Sequence, residues 1–233
     1  MLLTHIKRYV EAFVDLIYPR SCPGCNNSML HQEKMLCITC QLDLPIYPFF
    51  HSQNNEVQSV FAGRLPLETA NCLLYFTKNG IAQGLLHALK YQDREDIGMY
   101  LGELLGAELL RSGYRADVLL PVPLHPDKQK ARGYNQCHSI ALGVQRALGG
   151  GMIAYDVIER TTANRSQTKL SRIKRWDNVS GIFRLVNAEA LANKRVLILD
   201  DTLTTGATLE SCGITALEAG NVRLSIATLA YAK

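Results

Sequence analysis

The chain has no apolar run of the ~18 residues that a membrane helix needs. Its first segment, MLLTHIKRYVEAFVDLIYP, carries Lys7, Arg8, Glu11 and Asp15 where a signal or membrane helix would be apolar. Membrane insertion and secretion are therefore not expected, and the expected compartment is the cytoplasm. Aromatic residues are few, 7% with a single Trp, which leaves little surface for stacking a run of bases. A strong charge of one sign is also missing. The 25 Lys and Arg against 21 Asp and Glu leave +4, compatible with phosphorylated ligands but too small to imply nucleic-acid binding unless the cations cluster. Internal repeats and low-complexity tracts are absent. The seven Cys are odd in number and come without a secretion signal, which argues against a disulfide framework.

With 233 residues, 47% of them hydrophobic, the chain is long enough for one well-buried domain, or one domain and a small appendage. Leu3, Ile6, Val10, Phe13 and Ile17 recur at helical spacing, so residues 2–17 are expected to form an amphipathic helix ending before Pro19. A Cys-containing region follows to about residue 44, and the Pro- and Asn-rich PIYPFFHSQNNEV reads as a linker, which puts the unit boundary near residue 50. Residues 1–50 are thus expected to form a helix and small cysteine module, and 51–233 the main domain. In the latter, strands are expected at Val57 to Phe61, Ala70 to Phe76, ADVLLPVPL, Ile153 to Glu159, RVLILD and VRLSIATLAYA. Helices are expected at Ile81 to Lys90, Ile97 to Arg111, Asn135 to Leu148 and Ala207 to Ala219. Apolar runs alternating with helical patterns indicate an α/β fold with a mainly parallel sheet.

CPGC and CITC form a C-x2-C-x11-C-x2-C pattern of Cys22, Cys25, Cys37 and Cys40. Each pair can aim two thiolates at one ion, and four sulfurs close a tetrahedral shell, so structural Zn2+ is the favoured reading over a redox pair or incidental thiols. Such an ion could contribute roughly 10 to 16 kcal/mol to ordering a segment too small for its own core. Cys72, Cys137 and Cys212 have no companion at ligand spacing and are read as small buried apolar residues.

In VLILDDTLTTGAT, the apolar residues Val196 to Leu199 fill a sheet interior and deliver Asp200 and Asp201 to the carboxyl end of the strand. Open parallel sheets gather ligands there. Two adjacent carboxylates repel unless hydroxyls or a cation meet them, and a ribose diol would serve. Thr204, Thr205, Gly206, Ala207 and Thr208 then offer hydroxyls and backbone N–H groups at a helix start, a setting for a phosphate. An ordinary Asp/Thr helix cap is the alternative reading. The combination resembles the 5-phosphoribosyl 1-diphosphate (PRPP) motif of type I phosphoribosyltransferases, with Thr202 standing where that motif is usually apolar.

Two other segments carry the likeness further. DVLLPVPLHPDKQKARGYNQ runs from a strand end into a loop with Lys128, Lys130 and Arg132, an anion site in principle or a solvated basic turn. RTTANRSQTKLSRIKR, residues 160–175, has six cations and no acid; it would either self-repel without an anionic partner or present one exposed stripe. PVP and RGYNQ resemble the signature of the competence protein F (ComF) family, and the cysteine pairs, LHALKYQDRED and LILDDTLTTGAT follow in that family's order. Arg160, Thr161, Gln167, Arg172 and Asn178 match a segment shared by that family and the amidophosphoribosyltransferases.

The resemblance implies a type I phosphoribosyltransferase fold, a mainly parallel sheet with flanking helices, preceded by the N-terminal helix and zinc-binding module. It also implies a part in DNA uptake or utilisation. If the chain is an enzyme, Asp200 and Asp201 hold the ribose and Thr204 to Thr208 the 5′-phosphate. Lys128, Arg132, Arg160 and Arg165 are then the candidates for the departing pyrophosphate, with Lys90 as a further one, and Mg2+ accompanies PRPP. The other implied role is a non-catalytic module binding single-stranded DNA or a DNA-uptake helicase, using the zinc module and the basic strip. Nothing in the residues assigns an acceptor, a general base or an oligomeric state.

Overall fold

The computed structural model describes residues 20–52, 55–161 and 182–233. The helix expected over residues 2–17, and Arg165, Gln167, Arg172 and Asn178, lie outside the described residues. The described residues begin with the cysteine turns and a short helix α1 (Ile38–Leu42), then α2 (Glu56–Ser59). The main domain follows as β1 (Leu67–Tyr75), α3 (Ile81–Tyr91), α4 (Glu95–Arg111), β2 (Val118–Pro121), α5 (Pro126–Arg132), α6 (Gln136–Leu148) and β3 (Met152–Ile153). It ends with β4 (Ile158–Arg160), β5 (Phe183–Leu185), β6 (Arg195–Leu203), α7 (Ala207–Leu217) and β7 (Arg223–Tyr231).

Five strands make one sheet in the order β1-β7-β6-β2-β3, every pairing parallel. Val118 to Leu120 and Val196 to Leu199 are buried throughout, as strands covered on both faces must be. From β1 to β2 to β3 the chain travels one way across the sheet, and from β3 to β6 to β7 it travels back. Right-handed crossovers therefore put α4 and α6 on one face and α7 on the other. The neighbours β2 and β6 thus send their helices to opposite sides, which opens a crevice between their carboxyl ends.

The α4–α6 contact is unusually close because Gly98, Gly102 and Gly106 recur every four residues along α4. A Cβ on Gly102 would strike the Ile140 carbonyl, and one on Gly143 the Met99 carbonyl. On the sheet's outer edge, Ile46 bridges antiparallel to Leu74. Tyr47 N donates to Leu73 O at 2.8 Å and Tyr75 N to Pro45 O at 2.8 Å. The proline-rich stretch after the cysteines therefore lies along β1, with Tyr47 and Phe50 buried, and covers an edge that would otherwise be open to pairing.

Three sequence expectations are corrected. Val57 to Phe61 is not a strand: the Asn55 side chain accepts from Val57 N at 2.9 Å and starts α2, and Val57 and Phe61, four apart, are buried together. Lys128, Lys130 and Arg132 lie on helix α5 and not in a loop. His125 Nδ1 accepts from Asp127 N at 3.2 Å, Pro126 takes the first turn, and Gly133 closes the helix at φ 78°. The strand expected at Ile153 to Glu159 is two strands, because β3 joins the main sheet while β4 pairs antiparallel with β5.

Candidate functional site

β6 extends past its β2 neighbour. Its last partner on β2 is Pro121, opposite Leu199, whereas on the β7 side pairing continues to Leu203. Asp200 and Asp201 are therefore the first β6 residues beyond the end of β2, inside the crevice. Asn135 closes the crevice's other wall: its side chain accepts from Cys137 N at 3.0 Å and donates to Val122 O at 3.0 Å. That pins the start of α6 to the end of β2.

The cavity there, of about 160 Å³, is lined by Lys90, Lys128, Arg132, Gln136, Cys137, Arg160, Asp200, Asp201 and Thr208, with the Val122 to Leu124 turn. An adjoining recess of about 50 Å³ is lined by Asp200, Thr202 and the residues from Thr204 to Thr208. The fold therefore brings the two acids, the Thr/Gly turn, Lys128, Arg132 and Arg160 to one place, although Lys128 and Thr208 are eighty residues apart in the chain. Four cations face two acids around the larger cavity, so its net charge favours a polyanion.

The two acids are held differently. Asp201 is 5% exposed. Its Oδ1 lies 2.6 Å from Lys90 Nζ, and its Oδ2 accepts from Gln136 Nε2 at 2.5 Å. Asp200 has no cation of its own among the described residues; its Oδ1 accepts from Asp201 N at 2.8 Å and from the Cys137 thiol at 3.5 Å. Burial, and then the neighbouring Asp201 charge, push Asp200 up to about 7. Burial and both carboxylates raise Cys137 well above the ordinary thiol value, so it stays a protonated donor toward Asp200.

The Thr/Gly turn is braced from beneath. Gly206 caps α7 at φ 78°, and a Cβ there would lie 2.9 Å from Phe61 Cε1 and 3.1 Å from Val60 Cγ1. Arg64 Nη1 donates to Thr205 O at 2.9 Å and Nε to Glu210 at 3.1 Å. Thr204 and Thr205 are left exposed. The cations are steered by aromatic rings. The Arg132 guanidinium sits 5.1 Å from the Tyr91 ring centre and donates to Gln136 Oε1 at 3.0 Å, while Arg160 sits 5.6 Å from the Phe183 ring centre. Sequence reasoning missed Gln136, Cys137, Phe61 and Arg64. The first two stand in or beside RGYNQ at a helix start, a signal that was present; Phe61 and Arg64 carry none.

The second cluster is the cysteine module. The sulfurs of Cys22, Cys25, Cys37 and Cys40 lie within 4.8 Å of one another, and Cys25 and Cys37 are 3.7 Å apart. A regular tetrahedron with Zn–S bonds of about 2.3 Å has edges of about 3.8 Å, so the four residues fit a zinc ion. Backbone donors already serve the sulfurs: Cys37 N reaches Cys22 Sγ and Cys40 N reaches Cys37 Sγ, each at 3.4 Å. Although burial opposes it, the amides of Cys37, Cys25 and Gly24 hold Cys22 down at about 7, favouring the thiolate a metal needs. The module packs on α3, where a Cβ on Gly84 would lie 2.5 Å from Pro23 O.

The parallel five-stranded sheet with flanking helices, with paired acids and a Thr/Gly turn at its reversal point, agrees with the type I phosphoribosyltransferase fold expected from the sequence. Among solved structures, the chain is similar to the allosteric regulatory enzyme of purine biosynthesis (21% identity, 61% of this chain and 29% of that one, TM-score 0.42). It is also similar to glutamine phosphoribosylpyrophosphate amidotransferase from B. subtilis (20% identity, 61% and 30%, TM-score 0.43). No family model matches the chain. Competence protein F of Haemophilus influenzae is 25% identical over 207 residues, covering 81% of this chain and 86% of that protein. DNA utilization protein YhgH of Escherichia coli K12 is 31% identical over 130 residues, 54% of this chain and 56% of the relative. Competence protein ComFC of Bacillus subtilis is 29% identical over 103 residues, 44% and 39%. These likenesses support a reading of the chain as similar to the ComF and YhgH proteins. Among the described residues, no helix is long and apolar enough to cross a membrane.

Proposed function

We propose that the chain binds PRPP and transfers its phosphoribosyl group to a nitrogen acceptor, in a pathway serving DNA uptake or utilisation or nucleotide metabolism. The observation that carries this reading is the meeting of three chemistries in one crevice: paired carboxylates for a diol, a Thr/Gly turn at a helix start for a monophosphate, and cations for a diphosphate. Asp200 and Asp201 accept from the 2′ and 3′ hydroxyls. The N–H groups and hydroxyls of Thr204 to Thr208 hold the 5′-phosphate. Lys128, Arg132 and Arg160 receive the negative charge that grows on pyrophosphate as its bond to C1′ breaks, and the acids lie beside the positive charge that grows on the sugar. Arg165 is proposed to join them from outside the described residues. Mg2+, when bound with the diphosphate, neutralises part of the leaving group's charge.

The names of the relatives support a second reading, a module that touches single-stranded DNA or a helicase without catalysis. The exposed basic face of α5, with Lys128 and Lys130, supports it too; of the basic strip expected over residues 160–175, only Arg160 and Thr161 fall within the described residues. Calorimetric titration of Mg·PRPP into the wild type and into Asp200→Asn/Asp201→Asn separates the two. Transferase chemistry requires binding by the wild type and its loss in the double variant. DNA binding by the same double variant would instead be unchanged or stronger, since two negative charges are gone. If the wild type gives no heat with PRPP and none with ribose 5-phosphate at millimolar concentration, the transferase reading fails.

A further inference from the structure

Lys90 is the one cation around the crevice that pairs with an acid of the site among the described residues. Its ammonium lies 2.6 Å from Asp201 Oδ1 and 3.3 Å from Thr202 Oγ1. Arg132 is engaged by Gln136 and Tyr91, Arg160 by Phe183, and Lys128 is exposed on α5. The helix that carries Lys90 is held at two points before it. The Tyr134 hydroxyl donates to Leu89 O, and the first half of α3 is clasped by the Pro23–Gly24 turn of the cysteine module. Its side chain is 22% exposed, so its charge is weakly screened.

Two neighbouring carboxylates in a crevice do not both stay ionised without a positive charge beside them. Many diol and diphosphate sites obtain that charge from a divalent cation. Here the Lys90 ammonium lies beside Asp201. A carboxylate has about four acceptor sites, so the bonds from Lys90 and Gln136 leave Asp201 able to accept a sugar hydroxyl as well.

We propose that Lys90 is a positioning residue of the ribose site, the built-in counter-charge that holds the Asp201 carboxylate oriented toward a sugar hydroxyl without a resident metal ion. This rests on the PRPP reading above and deepens it: the diol half of the site works metal-free, and Mg2+ is needed only with the diphosphate. Ribose 5-phosphate, which has the diol and the 5′-phosphate but no diphosphate, is the probe that isolates that half.

The experiment is calorimetry of ribose 5-phosphate, with and without Mg2+, into the wild type, Lys90→Met and Lys90→Arg, with thermal melting as the check on folding. The wild type is expected to bind equally with and without Mg2+. Lys90→Met is expected to bind about thirtyfold more weakly without Mg2+, the low end of the range for truncating one partner of a hydrogen-bonded charge pair, and to recover most of that loss when Mg2+ supplies the missing charge. Lys90→Arg is expected to stay within severalfold of the wild type. Should Lys90→Met not fold, Lys90→Gln, which keeps a donor but no charge, makes the same comparison. Unchanged binding by the uncharged variant, or an equal loss with and without Mg2+, would overturn the proposal while leaving the PRPP reading intact. A wild type that binds Mg·PRPP but no ribose 5-phosphate would overturn this proposal alone, and one that binds neither would remove both.

Discussion

Asp200 is held at a cost to the fold, and the size of that cost can be worked out. Its carboxyl is pushed up to about 7 by burial first and by Asp201 second, whereas in the unfolded chain it titrates near the ordinary carboxylate value of about 3.9. The folded state therefore prefers the neutral acid. Stability from this group is complete below the unfolded value, falls as pH rises through the folded value near 7, and is fully lost above it. About three decades in proton affinity at about 1.4 kcal/mol each correspond to roughly 4 kcal/mol. Asp200→Asn keeps the Oδ1 acceptor that Asp201 N and the Cys137 thiol use and cannot ionise. It should stabilise the protein by roughly 4 kcal/mol at pH 8, by a smaller margin at pH 5.5 and hardly at all at pH 4, while weakening ribose binding. Urea unfolding of both proteins at the three pH values measures this. A variant no more stable than the wild type at pH 8, or one whose advantage does not shrink on acidification, would refute the account of Asp200 as an acid kept in the crevice for a ligand.

Two further outcomes are expected. Gly206→Val forces a β-branched residue to φ 78° and drives a Cβ against Phe61; it should cost about 1 to 3 kcal/mol in urea and abolish ribose 5-phosphate binding, and a variant that still binds would exclude the turn as the phosphate site. Cys40→Ser, or a strong chelator, should strip bound zinc as read by elemental analysis and expose residues 20–44 to proteolysis, since about 10 kcal/mol or more of metal-binding free energy is withdrawn from a segment with little core of its own; protease resistance unchanged by metal removal would contradict a structural zinc.

Much of the site was legible in the sequence because its parts are local. A strand that delivers two acids and then a Thr/Gly turn is one continuous segment from Val196 to Thr208, and its chemistry follows from residue type and chain direction. The same holds for C-x2-C turns, which set sulfur spacing over four residues, and for apolar runs alternating with helical patterns, which made the parallel sheet readable. The misreadings fell where capping or pairing overruled pattern. Asn55 converted Val57 to Phe61 into a helix start, and His125, Pro126 and Gly133 wound the basic loop into α5. Tyr155 and Asp156 lie exposed between β3 and β4 and separate what read as one strand.

Sequence alone made the α/β class, the acid pair with its Thr/Gly turn and the two C-x2-C pairs legible, since each shows as a short local pattern in the chain. Which charges meet was decided only by the tertiary structure. Lys90 closes on Asp201 across 111 positions and Gln136 across 65, and Phe61 and Arg64 support a turn some 140 residues away. Those contacts exist because the sheet reverses between β2 and β6, bringing the ends of α3, α5, α6 and α7 and of β4 to the acids of β6 in one crevice. Coulomb and hydrogen-bond energies depend on distance in space, and no local pattern in a chain encodes that distance.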